Sequence, residues 1–462
     1  MRFVNRKREL EALEAWWKEA GPRLGLVWGR RRVGKTLLLQ EFAKGRSRTI
    51  YHTFAGRPME DELRMLANIF NTIDSTYRPR WQNWDDALES LVHNASEEPL
   101  LLILDEFQLG ATVSPELPSV LRALWDRIQG HSQLRVLLCG SAIQTMEEMQ
   151  NSRAPLYGRF ELSLLIHPFE PHEAALMLTH LPPEERALVW GVVGGVPLYL
   201  NWWNQSDDLR NNLLRLVCTP GGRLLNEGEL ALRGETFADL ERQILFAIGA
   251  GRTRHNEIKD AVRAEPTRQL ERLIDLRLVE RLEPVTEEGT HTRRRIYRIA
   301  DNFLAFWIAC IEPFRTQIER GLGATIIDAL IMSIDDHLGP RWEEAFRAHL
   351  RRLALSGKLG AGVVAVGPFW THRTPDRSHP GLPLSTEIDA VVLAGRERQP
   401  VLIGEAKWAR SVDAGRIVSE LERKSAMIPG DHQGMRLAVC ARSELRNLPE
   451  GVFGITAADI FA

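Results

Sequence analysis

Cysteine is scarce in this 462-residue sequence, and the four cysteines form no recognisable pattern. They are far apart and lack the spacing of metal ligands, which argues against a zinc module or a small disulfide scaffold; they are Cys139, Cys218, Cys310 and Cys440. A reduced protein in the cytoplasm is therefore predicted.

Long apolar runs are also missing. The longest, from Phe303 to Ile311, is far shorter than the ~20 residues that a membrane-spanning helix needs. The charged N-terminus, with Arg6, Lys7 and Arg8, is not followed by the apolar region of a signal peptide. The sequence thus predicts neither a membrane partner nor a secretory signal.

An excess of charge of either sign is the third thing that the sequence lacks. Lys and Arg together number 59 and Asp and Glu 61, for a net charge of −2, so any surface for nucleic acid must be local. Apolar residues make up 44% and charged residues 26%, the balance of an ordinary folded protein. Because the length is about three times the ~150 residues of a typical domain, several domains are expected.

The order of apolar and helical segments divides the chain into four predicted domains. Residues 24–166 alternate short apolar strands with helices, which predicts a parallel sheet with crossover helices. A helical region follows, then three short helices with a two-stranded hairpin, which is typical of a winged helix, and finally a second mixture of helices and strands. The predicted α/β domain with the parallel sheet spans residues 1–166, and the helical region spans 167–235. The predicted winged helix spans 236–313, and the second α/β domain spans 314–462.

A phosphate-binding loop is the strongest local motif. The segment from Gly29 to Thr36 reads Gly-Arg-Arg-Arg-Val-Gly-Lys-Thr, directly after the apolar run Leu24–Trp28. Glycines let backbone N–H groups point toward an anion, and the following helix favours negative charge at its N-terminus. Lys35 would contact the β- and γ-phosphates, and the Thr36 hydroxyl would bind Mg²⁺. The predicted nucleotide-binding loop is Gly29, Arg30, Arg31, Arg32, Val33, Gly34, Lys35 and Thr36.

A second motif supplies the acids that hydrolysis needs. The apolar run Leu100–Leu104 is followed by Asp105 and Glu106. Asp105 would bind Mg²⁺ through water, and Glu106 would polarise the attacking water. ATP and Mg²⁺ are therefore the predicted cofactors, with Lys35 and Glu106 as catalytic residues.

Two further residues are candidates for the nucleotide site. Ser141 follows a third apolar run, where a hydroxyl between the γ-phosphate and the acidic strand is expected; the alternative is a helix N-cap. Arg159 could stabilise the charge on the transferred phosphoryl group from its own subunit or from a neighbouring one. The alternative for Arg159 is a solvated surface arginine.

These motifs together resemble the archaeal-type ATPases of the STAND/AAA+ group, and the resemblance spans essentially the whole chain. The matching features are the opening box with Phe3, Asn5, Arg6, Glu9 and Leu10, the arginine-rich phosphate loop, Asp105–Gln108, Gly140-Ser141 and Gly194–Tyr199. The resemblance implies an AAA+-like P-loop domain with a helical lid. It also implies that Asn5 and Arg6 lie near the adenine and that the segment with Pro197 closes over the nucleotide.

The predicted winged helix has a local cluster of arginines. Arg268 and Arg272 would share a face of its second helix, and the hairpin contains Arg293, Arg294, Arg295 and Arg298, which suit phosphate contacts. Residues 252–298 nevertheless contain 12 basic and 9 acidic residues, an excess of 12 − 9 = 3. DNA binding and protein–protein contact remain alternative interpretations of this module.

Acidic residues near the C-terminus form a second candidate site. Glu405 and Lys407 lie two apart on a predicted strand and so face the same side, and Asp389 lies on the strand before. Carboxylates and a lysine are what a metal-dependent phosphodiesterase needs. The arrangement resembles the PD-(D/E)xK nuclease superfamily, which implies a restriction-endonuclease-like fold, a catalytic set of Asp389, Glu405 and Lys407, and metal ligands Glu343, Asp389 and Glu405. The alternative is a structural ion pair.

Three functional hypotheses follow. The first is an ATP-driven switch coupled to a DNA-acting nuclease-like domain. The second is a signalling or scaffolding ATPase whose nuclease-like domain does not cut, and the third is a regulator whose ATP state controls DNA binding. ATP and ADP are the predicted small-molecule partners; DNA, a protein partner and further copies of the chain stay open.

Overall fold

The computed structural model describes residues 3–74, 79–128, 132–233, 238–289, 292, 294–372 and 385–462. The chain forms two compact units that divide between Pro168 and Phe169. Within the described ranges, no helix is both long and apolar enough to cross a membrane.

The first unit is an α/β domain built on a parallel sheet with strand order β2-β3-β4-β1-β5. Its helices are α1 (Lys7–Lys18), α2 (Lys35–Ala43), α3 (Met59–Phe70), α4 (Trp84–Asn94), α5 (Phe107–Val113), α6 (Leu117–Arg127) and α7 (Ile143–Glu148). Its strands are β1 (Arg23–Trp28), β2 (Thr49–Thr53), β3 (Leu100–Asp105), β4 (Leu134–Gly140) and β5 (Leu162–Leu165).

The three apolar runs identified in the sequence form the centre of this sheet. Strands β3 and β4 are buried along their whole length, as expected where helices cover both faces of a parallel sheet. Side chains of alternate residues enter two separate hydrophobic cores; Leu102 belongs to one and Ile103 to the other. The predicted parallel sheet is confirmed.

Strand order determines which loops meet. Strand β4 lies between β1 and β3, so the loops after these three strands lie next to one another at the carboxyl edge of the sheet. Ligands of open parallel sheets bind at this edge, where the direction of the connections reverses. The fold thereby gathers the phosphate loop, Ser141 and the acids Asp105 and Glu106.

The second unit combines helices with a mixed sheet. Its helices are α8 (Pro171–Ala175), α9 (Pro183–Val193), α10 (Pro197–Trp202), α11 (Leu209–Leu216), α12 (Arg223–Arg233), α13 (Asp239–Gly249), α14 (His255–Val262), α15 (Thr267–Asp275), α16 (Asn302–Phe306), α17 (Arg315–Glu319), α18 (Gly323–Leu355), α19 (Ala414–Ser425) and α20 (Ala457–Ile460), with a π-helical turn at Trp307–Ile311 and 3-10 turns at Val285–Glu287 and Glu312–Phe314. Its strands are β6 (Val279–Leu282), β7 (Ile296–Ile299), β8 (Val363–His372), β9 (Ser385–Ala394), β10 (Gln399–Lys407), β11 (Ser411–Asp413), β12 (Arg436–Ala441), β13 (Glu444–Arg446) and β14 (Phe453–Ile455).

The large sheet of this unit has the order β14-β12-β10-β9-β8. Strands β8, β9 and β10 pair antiparallel, whereas β10, β12 and β14 pair parallel. Each face has its own core: Phe346 of α18 and Leu402 lie in one, and Leu421 of α19 and Ile403 lie in the other. This sheet holds Asp389 on β9 and Glu405 on β10.

The three segments predicted as lid, winged helix and C-terminal domain share one hydrophobic core. Residues from all three contribute to a continuous cluster, for example Val193, Leu270 and Phe346. The hairpin β6–β7 follows helices α13–α15 in the predicted order, and the turn after β6 places Val285 in the core beneath the large sheet. These segments therefore fold as one unit.

Helix α18 continues through Pro340. Proline lacks the N–H that would bond to the carbonyl of Asp336 four residues earlier, so the helix is interrupted at that hydrogen bond. Glu343 and Glu344 follow in the next turn of the same helix.

Glu344 joins the hairpin to α18 through a network of arginines. Its carboxylate lies 2.7 Å from Arg298 Nη2 on β7 and 3.1 Å from Arg347 Nε, and it also pairs with Arg351. These guanidinium groups outweigh the effect of burial and hold the pKa of Glu344 well below its usual range. The ionised carboxylate is thus a structural link between two segments that are distant in sequence.

Replacing Glu344 should destabilise the second unit. We expect Glu344→Gln to lower its free energy of unfolding by about 2 kcal/mol or more at pH 7, because three arginines lose their shared partner. Because the folded-state pKa is depressed, this contribution is present above the carboxyl's ordinary pKa and is lost as the pH falls below it. Denaturant titration at several pH values would measure the difference.

The matched control is Glu288→Gln, which removes an exposed pair with Arg398 and should cost less than about 1 kcal/mol. Equal destabilisation by both substitutions, or a Glu344→Gln effect that does not shrink in acid, would contradict the assignment.

Candidate functional site

The backbone of the phosphate loop needs glycine at two positions. Gly29 has φ +146° and Gly34 has φ +95°, in the region that side chains disfavour. A Cβ atom on Gly29 would lie only 2.4 Å from the carbonyl oxygen of Ile166. The loop therefore turns tightly against the backbone beyond β5 before helix α2 begins at Lys35.

The Lys35 ammonium group lies inside this loop. Its Nζ donates hydrogen bonds of 2.8 Å to the carbonyls of Gly29 and Arg30, and the side chain is 6% exposed. Burial lowers the pKa of Lys35, and the Asp105 and Glu106 carboxylates oppose that shift. A buried cation held by neutral carbonyls is well prepared to bind phosphate oxygens.

Asp105, at the end of β3, forms hydrogen bonds with residues of strand β2 and helix α2. Its Oδ2 accepts hydrogen bonds from Thr36 Oγ1 at 2.9 Å and from Tyr51 Oη at 2.8 Å, and the residue is almost fully buried. Hard oxygen atoms such as those of Thr36 and Asp105 are the ligands that Mg²⁺ prefers. Tyr51, on β2, was missed by the sequence analysis, because nothing local relates it to an acid on another strand.

Glu106 is fixed by hydrogen bonds from two side chains. Its Oε2 accepts from Ser141 Oγ at 2.9 Å and from Gln108 Nε2, which also lies 3.3 Å from Ser141 Oγ. Helix α7 begins at Ile143, after an N-cap at Ala142, so the helix-cap alternative for Ser141 is wrong. The sequence indicates Gln108 only as the last residue of the Asp105–Gln108 motif. Its hydrogen bond to Glu106 shows that it helps to position that carboxylate.

The opening box lies against the phosphate loop. Asn5 and Arg6 both have left-handed backbones, and Arg6 is 4% exposed. Arg6 Nη2 donates to the carbonyls of Val33 at 2.9 Å and His167 at 2.7 Å. Arg6 therefore links the phosphate loop to the last residues of the first unit through hydrogen bonds. The predicted position of Asn5 and Arg6 near the adenine stays a prediction.

The remaining predicted nucleotide contacts lie elsewhere. Arg159 forms two hydrogen bonds, of 3.0 and 3.1 Å, with the carboxylate of Asp126 on α6, which favours the surface-arginine interpretation. Pro197 begins α10 in the second unit and is buried there. Arg30, Arg31 and Arg32 lie within the loop, and their contacts with nucleotide stay predictions.

The acidic residues of the second unit do converge. Asp389 and Glu405 are buried on neighbouring strands, and Asp389 Oδ2 accepts a 2.8 Å hydrogen bond from the Ala406 N–H. Lys407 Nζ donates to Glu405 Oε1 at 2.7 Å and lies 3.9 Å from Asp389 Oδ2. Burial, followed by the nearby Glu343 and Glu405 carboxylates, raises the pKa of Asp389 to about 7.

A second lysine changes the interpretation of this group. Lys424, on α19, donates to both oxygens of Glu405 at 3.1 and 3.0 Å, and no sequence signal pointed to it. Glu343 lies on α18 as expected, with its Oε2 3.8 Å from Arg347 Nη1. Within the described ranges, no three His, Cys, Asp or Glu side chains are placed to hold a metal ion. Metal binding by Glu343, Asp389 and Glu405 stays a prediction.

Most of the predicted DNA-binding arginines form ion pairs. Arg272 pairs with Glu241 at 2.9 Å, Arg295 with Glu283 at 2.8 Å, and Arg294 with Glu287. Arg268 is exposed on α15, and Arg293 lies outside the described residues. The acids balance much of the positive charge, and DNA binding stays a prediction.

The parallel sheet, the glycine-dependent loop, the buried Lys35 and Asp105, and the adjacent Glu106 define the first unit as a P-loop ATPase domain. Residues 3–202 match the model of a family described as ATPase domains predominantly from Archaea. Residues 307–420 match a second family, described as archaeal and bacterial proteins of unknown function.

Three individual proteins are similar to this chain over different lengths. An uncharacterized protein of Methanocaldococcus jannaschii is 26% identical over 438 residues, which cover 92% of each chain. An uncharacterized ATP-binding protein of the same organism is 52% identical over 44 residues, 10% of this chain and 75% of that one. The structure of a Walker-type ATPase of Pyrococcus abyssi shares the fold with a TM-score of 0.51 at 21% identity, over 66% of this chain and 96% of that one.

The close approach at Gly29 gives a direct test of the loop. We expect Gly29→Ala to weaken ATP binding at least about tenfold, because the added methyl group collides with the Ile166 carbonyl and moves the loop that holds Lys35. Equilibrium titration with a fluorescent ATP analogue would measure it. Gly21→Ala is the control, since Gly21 also has a left-handed backbone, with φ +83°, but open space around it. Equal loss of affinity in both variants would contradict this account.

Proposed function

We propose that the protein is an ATP-binding and ATP-hydrolysing switch whose nucleotide state controls the second unit. The observation that supports this most is the hydrogen-bonded set of Glu106, Ser141 and Gln108 beside the phosphate loop. These hydrogen bonds would rearrange when a γ-phosphate binds or leaves, because Ser141 can donate its hydrogen bond either to that phosphate or to Glu106.

The residues divide the work of hydrolysis among them. Lys35 would neutralise the β- and γ-phosphates, and the loop N–H groups would orient them. A bound Mg²⁺, held by Thr36 and by Asp105 through water, would supply further positive charge to the phosphate oxygens. Glu106, once released by Ser141 and Gln108, would orient the attacking water and accept its proton.

Two substitutions separate binding from turnover. Lys35→Ala should abolish ATP binding, because the cation at the phosphates is lost. Glu106→Gln should keep binding but slow hydrolysis by about 100-fold or more, because an amide cannot accept the proton. Nucleotide titration and phosphate-release assays would measure the two steps.

Matched controls are Lys44→Ala at the exposed end of α2 and Glu116→Gln before α6, neither of which approaches the loop. Hydrolysis at the wild-type rate in Glu106→Gln would show that this role for Glu106 is wrong.

DNA cleavage by the second unit is a further candidate activity. It is favoured by the convergence of Asp389, Glu405 and Lys407, two buried acids and a lysine on adjacent strands. It is opposed by Lys424, which together with Lys407 neutralises Glu405, so the non-catalytic interpretation has equal physical support. A regulator that binds DNA through the hairpin is less well supported, because the hairpin arginines that the structure describes, Arg294, Arg295 and Arg298, already have acidic partners.

If this candidate activity is correct, Mg²⁺- or Mn²⁺-dependent cutting of DNA should be lost in Asp389→Ala and in Lys407→Ala, while ATP hydrolysis persists. Single- and double-stranded substrates should be tested with and without ATP, and cut ends quantified by electrophoresis. Asp431→Ala and Lys358→Ala, exposed residues of the same unit, are the controls. Cutting retained in both site variants, or absent from the wild-type protein on every substrate, would leave the acidic group with a structural role. The cytoplasmic location stays a prediction.

A further inference from the structure

A cavity of about 640 Å³ lies inside the second unit, outside the sites described above except at one rim. Its volume is in the range of small-molecule sites, ~300–1,000 Å³. It is enclosed by the end of α13, strand β7, the π-helical turn, the middle of α18 and the start of β9. Residues from five segments that are distant in sequence therefore line the same cavity.

The floor of the cavity is apolar and its rim is acidic. Buried Ile248, Ile299 and Ala305 form part of the floor, whereas Asp336 and Glu387 are exposed at the edge. Apolar walls with a few convergent polar groups are typical of ligand sites.

Two irregular helical segments meet at this cavity. The π-helical turn contributes Ala309 and Cys310, and the interrupted part of α18 contributes Asp336 and Pro340. A π-turn and an internal proline each cost stability, and π-turns in particular are frequent at functional sites. Two destabilising features of the helices therefore lie at the same cavity, which indicates a functional site there.

Arg341 lines this cavity and has a buried N–H group without a hydrogen-bond acceptor. It is 8% exposed, and its Nη1 donates only to neutral oxygens, Ile299 O at 3.2 Å and Asn302 Oδ1 at 3.4 Å. Its Nε is buried without an acceptor, and within the described ranges no carboxylate forms an ion pair with it. Burial and the nearby Arg298 lower its pKa to about 10, and the Glu280, Asp301 and Glu344 carboxylates only partly oppose that shift. A buried cation that has no directly paired carboxylate is costly unless something else binds it.

We propose that this cavity binds a small organic anion, with its carboxylate or phosphate group on Arg341 and an apolar body against the floor. Two more cationic residues line the same space, Arg298 and Arg347, but both form ion pairs, Arg298 with Glu280 and Glu344 and Arg347 with Glu343 and Glu344. Among the described lining residues, Arg341 is therefore the cation left to bind an anion. The proposal is independent of the ATP site and of the acidic group's chemistry.

The rim restricts which anion fits. Asp336, Glu343 and Glu387 repel a second negative group near the entrance, so a ligand with one anionic end is favoured over a polyanion such as DNA. An amino or hydroxyl group at the outer end would be accepted. Because the cavity contacts the hairpin, α18 and β9 together, its occupant would also stiffen their junction.

Benzoate and phenyl phosphate are suitable probes, with inorganic phosphate lacking the apolar body and benzyl alcohol lacking the charge. Calorimetric titration of the full chain should show saturable binding of at least one aromatic anion, weakened about tenfold or more by Arg341→Gln. Inorganic phosphate and benzyl alcohol should bind correspondingly less well. Titrations repeated in the Lys35→Ala background exclude binding at the phosphate loop.

Two further variants keep the test decisive. Ala309→Leu should also abolish binding, because it fills the cavity without removing a charge, and Arg352→Gln, on α18 but not lining the cavity, should leave binding unchanged. No saturable binding of either aromatic anion would overturn the proposal. So would binding that survives both Arg341→Gln and Ala309→Leu, or that disappears in Lys35→Ala.

Discussion

The first unit depends on one buried carboxylate. Asp105 ends β3 and accepts hydrogen bonds from Thr36, on the helix that follows β1, and from Tyr51 on β2. Three elements are therefore fixed relative to one another by a single charged group that has almost no contact with water. Such a group is costly to bury unless its bonds are satisfied, so the polar arrangement at the sheet edge is specified as strongly as the apolar core beneath it.

The second unit uses charge in another way. Its segments share a core, and Glu344 adds an ionic link between the hairpin and α18. Many arginines there, such as Arg295 and Arg298, have acidic neighbours and stabilise the fold rather than offering charge to a partner. A basic cluster in a sequence therefore indicates DNA binding only when the acids that fold against it are also counted.

The sequence predicted local features well. The strands of the parallel sheet are long apolar runs, and the phosphate loop is contiguous, so both could be identified without tertiary information. Tyr51, Gln108 and Lys424 could not, because each gains its role from a partner that is brought close only by folding. Helix α18 was expected, but the path through Pro340 was not evident, since a proline ordinarily predicts that a helix ends.

The partners of each arginine distinguish those that stabilise the fold from those that could bind a ligand. Arg295, Arg298 and Arg347 each have a carboxylate within ion-pair distance, so removing any of them would mainly expose an acid. Arg341 instead has neutral oxygens and a buried N–H without an acceptor, beside a cavity large enough for a ligand. A buried cation with no directly paired carboxylate is a favourable place for an anion from outside the chain to bind. By that argument, unsatisfied buried charge is a better guide to binding in this unit than the density of basic residues in the sequence.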